Sequence, residues 1–143
     1  MKFPLKVVAV ALAITATGLL FSAGASRADA WQPLRDDDRI HQGLIVIAVG
    51  RHIHNVCPDI SARLVPALTY AEGLVAHARS LGFSRSEVNA YIDDSAEQDR
   101  YRAIAAQYFA QQGGDMADAQ SVCAVGRDEI TAGSAIGRLL REG

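Results

Sequence analysis

The chain lacks most of the residue patterns by which an activity is identified from sequence. Its two cysteines form neither C-x-x-C nor C-x-x-C-H, which excludes the usual redox-active pair and the usual attachment site of a c-type haem. No G-x-S-x-G marks a nucleophile elbow, and no G-K-[ST] marks a phosphate-binding loop. We therefore assign no catalytic residue and no cofactor. The sequence leaves enzymatic activity open and favours a non-enzymatic protein.

Lysine is nearly absent. It occurs only at Lys2 and Lys6, so the cations from residue 31 onward are arginines and histidines. Residues 31–143 contain 11 arginines against 15 acidic side chains, a net charge of −4. A mildly acidic domain is not drawn by charge alone to nucleic acid or to an anionic membrane surface. We expect neither to be a partner.

The first thirty residues have the pattern of a secretory signal peptide. The two lysines precede an uncharged apolar run at 7–21, and Ala28-Asp29-Ala30 fits the A-x-A cleavage rule. Cleavage after Ala30 would leave a single periplasmic or secreted domain, 31–143, with no stable membrane insertion. The alternative is a retained anchor, although the run of 15 residues is shorter than the roughly 20 that span a bilayer.

The apolar periodicity after the leader predicts an all-α fold, a compact bundle of about five helices. The predicted segments are Arg39–Val56, Ile60–Leu81, a short helix opened by Ser84, one from Asp94 or Ser95 to Gly113-Gly114, and one from Asp115 or Asp118 to Gly133, followed by a last turn at Ile136–Leu140. Leu44–Val49 is equally compatible with a buried strand. We choose helix there because no other segment offers a strand partner.

Several local features sharpen this prediction. Pro33 indicates a non-helical lead-in, and the three aspartates at 36–38 suit the positive end of the next helix. An inward stripe on the second helix includes Leu64, Leu68 and Leu74, and Pro66 is expected to kink that helix or split off its first turn. The pair Asp128-Glu129 is expected on a solvated helix face.

Cys57 and Cys123 are predicted to form one disulfide, because an even number of cysteines in an oxidising compartment favours a bridge. The alternative is a pair of free buried thiols.

The densest polar cluster lies beside Cys57. Arg51, His52 and His54, with Trp31 as a further candidate, form a possible binding cluster for an anion or a partner carboxylate. The alternative for the three cations is that they simply suit a helix C-terminus, and for Trp31 that it packs onto the bundle. His52 and His54 are two residues apart and point to different sides of a helix, so we predict no metal site.

Three stretches carry a resemblance to known sequences. They are Asn55–Leu64, which contains C-P-D-I-S-A-R-L, then Leu81–Ser84 with Glu87 and Tyr91-Ile92, and Cys123 with Gly126–Ile130 and Gly133-Ser134. The chain after the leader resembles, over essentially its whole length, a family of small exported bacterial proteins known only as a domain of unknown function. The resemblance implies no catalytic residue. Relatives are sometimes encoded near genes for respiratory complex I, and a neighbouring gene is not a mechanism.

These observations support a non-enzymatic periplasmic accessory or interaction module that binds another protein of an envelope or respiratory membrane complex. Three alternatives remain open. They are a small-ligand or metal binder that uses His41, His52 or His54, an acid-stress chaperone, and a small periplasmic hydrolase. The oligomeric state does not follow from the sequence.

Overall fold

A computed structural model describes residues 30–143. Residues 1–29 of the predicted leader lie outside the described residues, and so does the choice between cleavage and anchoring. The elements are α1 Gln32–Asp36, α2 Asp38–Val56, β1 Ile60–Ala62, α3 Leu64–Ser80, α4 Arg85–Asp93, α5 Ser95–Gln111, α6 Ala119–Ala132, a 3₁₀ turn Gly137–Leu139 and β2 Leu140–Glu142. The predicted mostly helical fold is confirmed.

Helix α2 is the centre of the fold, and the choice of helix over strand for Leu44–Val49 is confirmed. The Asp37 side chain caps α2 by accepting a hydrogen bond from the backbone N–H of Ile40 at 2.9 Å. The apolar residues of α2 are distributed nearly all the way around its axis. The helix contacts α1, α3, α5, α6 and β1. Every other long element is therefore positioned against α2.

The predicted helix boundaries at polar caps and glycines are confirmed. Ser84 and Glu87 form a reciprocal capping box at the start of α4. The side chains of Asp94 and Asp118 cap α5 and α6. Gly133, with φ of 62°, ends α6 in the left-handed conformation that only glycine adopts readily.

The prediction that Pro33 prevents helix in the lead-in is wrong, because Gln32–Asp36 forms the short helix α1. Proline occupies the first turn of α1, where its missing N–H has no helical acceptor to lose. With α1, residues 30–143 contain six α-helices, whereas about five were expected.

A two-stranded antiparallel sheet corrects the start of the second predicted helix and the end of the predicted last turn. Residues 60–62 pair with 140–142 in a register that places Ser61 opposite Arg141. Had the helix begun at Ile60, Pro66 would have removed a hydrogen bond from its interior, whereas a start at Leu64 keeps the proline in the first turn. The last turn closes as a 3₁₀ turn before β2.

The predicted inward stripe of α3 is correct only in its second half. Leu74 packs against Gly43 of α2 and is buried, whereas Leu64 and Leu68 are 71% and 65% exposed. The contact of His77 with Asp37 places the C-terminal half of α3 along the start of α2. The first two turns lie beyond this contact and keep their apolar side chains in solvent.

Buried side chains form two clusters. The disulfide cluster contains Val49, Ile53, Phe109 and Val122 around the Cys57–Cys123 bond, whose Cα atoms are 5.5 Å apart. The predicted disulfide is thereby confirmed. The Trp31 cluster contains Trp31, Leu34, Leu74, Val88 and Tyr91 and lies at the other end of the domain.

Candidate functional site

A groove separates the exposed sides of α2 and α5, and we call it the α2–α5 groove. Its volume is about 350 Å³. The lining residues are Leu44, Ile47, Ala48, Arg51, His52 and Asn55 of α2, Glu97, Gln98, Tyr101, Arg102 and Ala105 of α5, and Tyr91, Ile92 and Met116. Each helix contributes one face at three- and four-residue spacing, so the groove follows both helix axes.

His52 has a fixed orientation at one end of the groove. Its Nε2 atom is 3.1 Å from the carbonyl oxygen of Met116, which can only accept, so Nε2 carries the proton in the neutral ring. The ring also packs edge-on against Phe109 with centroids 5.5 Å apart. His54 turns instead to the carbonyl oxygen of Ile60 at 3.4 Å. The predicted cluster is thus divided: Arg51 and His52 line the groove, and His54 does not.

Arg51 is exposed and has no ion-pair partner among residues 30–143, and Asn55 follows it one turn later on the same side of α2. The other guanidinium on the groove wall, Arg102, is paired with Asp99. The end of the groove at Arg51 therefore carries an uncompensated positive charge.

The opposite end of the groove is built around Glu97, a buried carboxylate that sequence reasoning missed. Glu97 is 5% exposed and accepts a hydrogen bond from the Nε of Arg35 at 2.8 Å. Its other oxygen is 3.5 Å from Arg100, without hydrogen-bond geometry. The hydrogen bond to Glu97 raises the pKa of Arg35 above its usual value. Two guanidiniums therefore compensate this carboxylate.

Tyrosine hydroxyls continue this network into the core. The hydroxyls of Tyr91 and Tyr101 are 3.4 Å apart, and Nδ1 of His41 is 3.4 Å from the hydroxyl of Tyr101. Burial, more than the hydrogen bond to Tyr101, holds the pKa of Tyr91 well above its usual range. Trp31 packs edge-on against Tyr91 at a centroid distance of 5.6 Å and is 7% exposed. Trp31 is therefore a core residue that does not line the groove.

A second buried carboxylate corrects half of the prediction that Asp128-Glu129 lies on a solvated face, since Asp128 is exposed and Glu129 is not. Glu129 is buried and accepts hydrogen bonds from the hydroxyls of Tyr108 and Ser134. Ser134 in turn accepts from the backbone N–H of Gly137 at 2.9 Å. A Cβ at Gly137 would clash with the carbonyl oxygen of Glu129. These contacts join α6 to the 3₁₀ turn. The sequence feature that could have predicted the burial of Glu129 is its position three residues after the inward-facing Gly126.

An exposed apolar surface lies at the start of α3, and we call it the α3 face. It consists of Leu64, Val65 and Leu68, and Val65 is 75% exposed. Arg63 and Arg138 lie beside it, because Nη1 of Arg63 donates to the carbonyl oxygen of Arg138 at 3.1 Å. Residues this apolar and this exposed, grouped on one helix turn, are typical of an interaction surface.

Two features are absent from the described part of the chain. No three His, Cys, Asp or Glu side chains within residues 30–143 lie close enough together to hold a metal ion. No helix in the same range combines the length and the apolar character needed to cross a bilayer.

The sequence model of a family of unknown function, DUF5333, matches residues 32–141. This confirms the resemblance to a family known only as a domain of unknown function. No curated protein and no solved structure matches the chain.

Proposed function

We propose that this chain, which belongs to the DUF5333 family of unknown function, is a non-enzymatic accessory protein that binds another protein through the α3 face. We place the complex in the cell envelope, with an envelope or respiratory membrane complex as the partner assembly. The observation that carries the proposal is the exposure of Leu64, Val65 and Leu68 at the start of a helix whose second half buries its apolar residues Leu74, Val75 and Ala78.

The α3 face offers apolar surface that folding leaves in water. Fully burying one Leu or Val side chain is worth about 1.5–3 kcal/mol, so a partner that covers all three residues gains a substantial part of the free energy of a stable complex. The face is small, and it suits one helix turn of a partner rather than a large flat interface.

Charge around the α3 face indicates the chemistry of the partner segment. Arg63, Arg138 and Arg141 are exposed, and none of them pairs with a carboxylate among residues 30–143. Arg141 lies opposite Ser61 in the sheet that leads into α3. The domain as a whole is acidic, so this concentration of unpaired arginine is local. We infer that the partner segment is an amphipathic helix with acidic side chains beside its apolar stripe.

Export is supported by two independent features. The pattern of residues 1–30 is typical of a leader that directs a chain out of the cytoplasm, and a disulfide such as Cys57–Cys123 persists in an oxidising compartment. A processed protein should have the mass of residues 31–143 less two hydrogens. That mass would also exclude the leader as the segment that covers the α3 face.

Co-purification from native cells tests the proposal. The full chain, tagged at its C-terminus, should recover a defined envelope complex at fixed stoichiometry. The variant Leu64→Gln/Leu68→Gln should lose that complex, while Leu81→Gln, which replaces an exposed leucine just after the C-terminus of α3, should keep it. The same complex recovered with all three proteins would contradict the proposal, as would recovery of lipid vesicles in place of a protein.

A further inference from the structure

We propose that the α2–α5 groove binds a small anionic amphiphile, a single apolar chain or ring system with one carboxylate, whose head group pairs with Arg51. This site is separate from the α3 face and does not rest on the proposed function.

The size and floor of the groove fit a small molecule. Its volume of about 350 Å³ lies within the range of small-molecule sites. From Leu44 to Asn55 it follows α2 for eleven residues, which corresponds to roughly 16 Å. Ile47, Ala48 and Ala105 line the stretch between these ends. A narrow elongated ligand therefore meets apolar surface along most of its length.

Charge determines the head group and its direction. Of the two arginines lining the groove, Arg102 is held by Asp99, and Arg51 has no carboxylate partner among residues 30–143. Asn55, one turn further on along α2, lines the same groove and supplies an amide donor. A carboxylate can accept two parallel hydrogen bonds from a guanidinium, which makes it the best-matched head group at this position.

The other end of the groove does not offer a competing cation site. The carboxylate of Glu97 is already compensated by Arg35 and lies beside Arg100, so a positively charged ligand group would meet two guanidiniums as well. Ile92 at this end is 41% exposed, which provides apolar surface for the tail. The ligand is therefore oriented with its anion at Arg51 and its tail toward Ile92.

Decanoate, used below its micellar concentration, is the probe for a titration of the disulfide-bonded protein. Decanol and decyltrimethylammonium carry the same chain with a neutral and a cationic head. We expect saturable binding of decanoate, with methyl NMR shifts at Leu44, Ile47 and Met116, and binding weaker by about tenfold or more for the other two probes. Equal binding of the three probes, or shifts confined to Leu64, Val65 and Leu68, would overturn the proposal.

Variants separate the head-group contact from the fold. Arg51→Gln should weaken decanoate binding about tenfold and leave decanol unchanged, whereas Arg79→Gln, at an exposed arginine of α3, should change neither. Ala48→Phe should fill the groove and abolish the binding of both probes with an unchanged circular dichroism spectrum. Unchanged decanoate binding in Arg51→Gln would overturn the assignment even if Ala48→Phe fails to fold.

Vesicles of phosphatidylglycerol distinguish a free amphiphile from a lipid in a bilayer. We expect the protein to remain in solution with these vesicles under conditions in which it binds monomeric decanoate. Sedimentation of the protein with the vesicles, and its loss in Arg51→Gln, would replace the free ligand with a membrane lipid and overturn the proposal.

Discussion

The disulfide cluster and the Trp31 cluster bury similar apolar side chains but are held by different polar chemistry. A covalent bond between α6 and the end of α2 closes the first, and its buried carboxylate, Glu129, accepts from two neutral hydroxyls. In the second, Glu97 is paired with Arg35, and Asp37 accepts from His77 at 3.0 Å. We therefore expect the first end to respond to reduction and the second to loss of charge. The α2–α5 groove is lined by residues of both clusters.

Removal of the disulfide should have the largest effect on stability. The bond closes a loop of 66 residues in sequence separation, and the chain-entropy model gives about 4 kcal/mol for a loop of this order. We expect Cys57→Ala/Cys123→Ala to lower the free energy of unfolding in urea by that amount. A loss below about 1 kcal/mol would show that packing alone stabilises the disulfide cluster.

Removal of the buried carboxylate should damage the Trp31 end. Glu97→Gln removes the buried carboxylate that pairs with Arg35, and breaking a buried ion pair in this way costs about 3 kcal/mol. The matched control is Asp99→Asn, two residues after Glu97. It removes the exposed partner of Arg102 and should leave urea unfolding unchanged. Equal effects of the two variants would contradict the distinction between the buried and the exposed pair.

Acid should act through Asp37. The backbone N–H of Ile40, and after it His77, hold the pKa of Asp37 below its usual value. Because the folded pKa is lowered, this stability is complete above the unfolded pKa of about 4 and is lost as the pH falls through the folded pKa. Asp37→Ala should also lose the cap, about 1 kcal/mol.

Asp37→Asn separates the two roles of this residue. It should keep the cap and flatten the dependence of unfolding free energy on pH below about 4, because asparagine does not titrate. An unchanged pH dependence in this variant, measured by urea unfolding, would place the acid response elsewhere in the domain.

The smallest effect on stability is expected for an α3 residue outside the Trp31 cluster, which includes Leu74 but not Leu68. Leu68→Gln should change the free energy of unfolding by less than about 0.5 kcal/mol, because the side chain is already in solvent. Leu74→Ala, two turns later, should cost about 3 kcal/mol. A comparable cost for both variants would mean that the first turns of α3 are covered.

The sequence was informative wherever a local signal determined the structure. The capping box at Ser84, the glycine at 133 and the pairing of Cys57 with Cys123 were predictable, because each depends on neighbouring residues or on a count of two. The sheet was not predictable, since residues 60–62 and 140–142 are distant in sequence and neither alternates clearly. The arrangement around Glu97 and Glu129 was missed because a buried carboxylate is identified by partners from other helices.

The most direct test of the central claim is photocrosslinking in native cells from a benzophenone amino acid at position 65 of the full chain. Position 76, an exposed alanine later in α3, is the matched control. We predict that position 65, and not position 76, crosslinks to a peptide that maps to an acidic amphipathic helix of an envelope protein. Crosslinks to lipid, to a second copy of this chain, or equally from both positions would contradict the assignment of the α3 face.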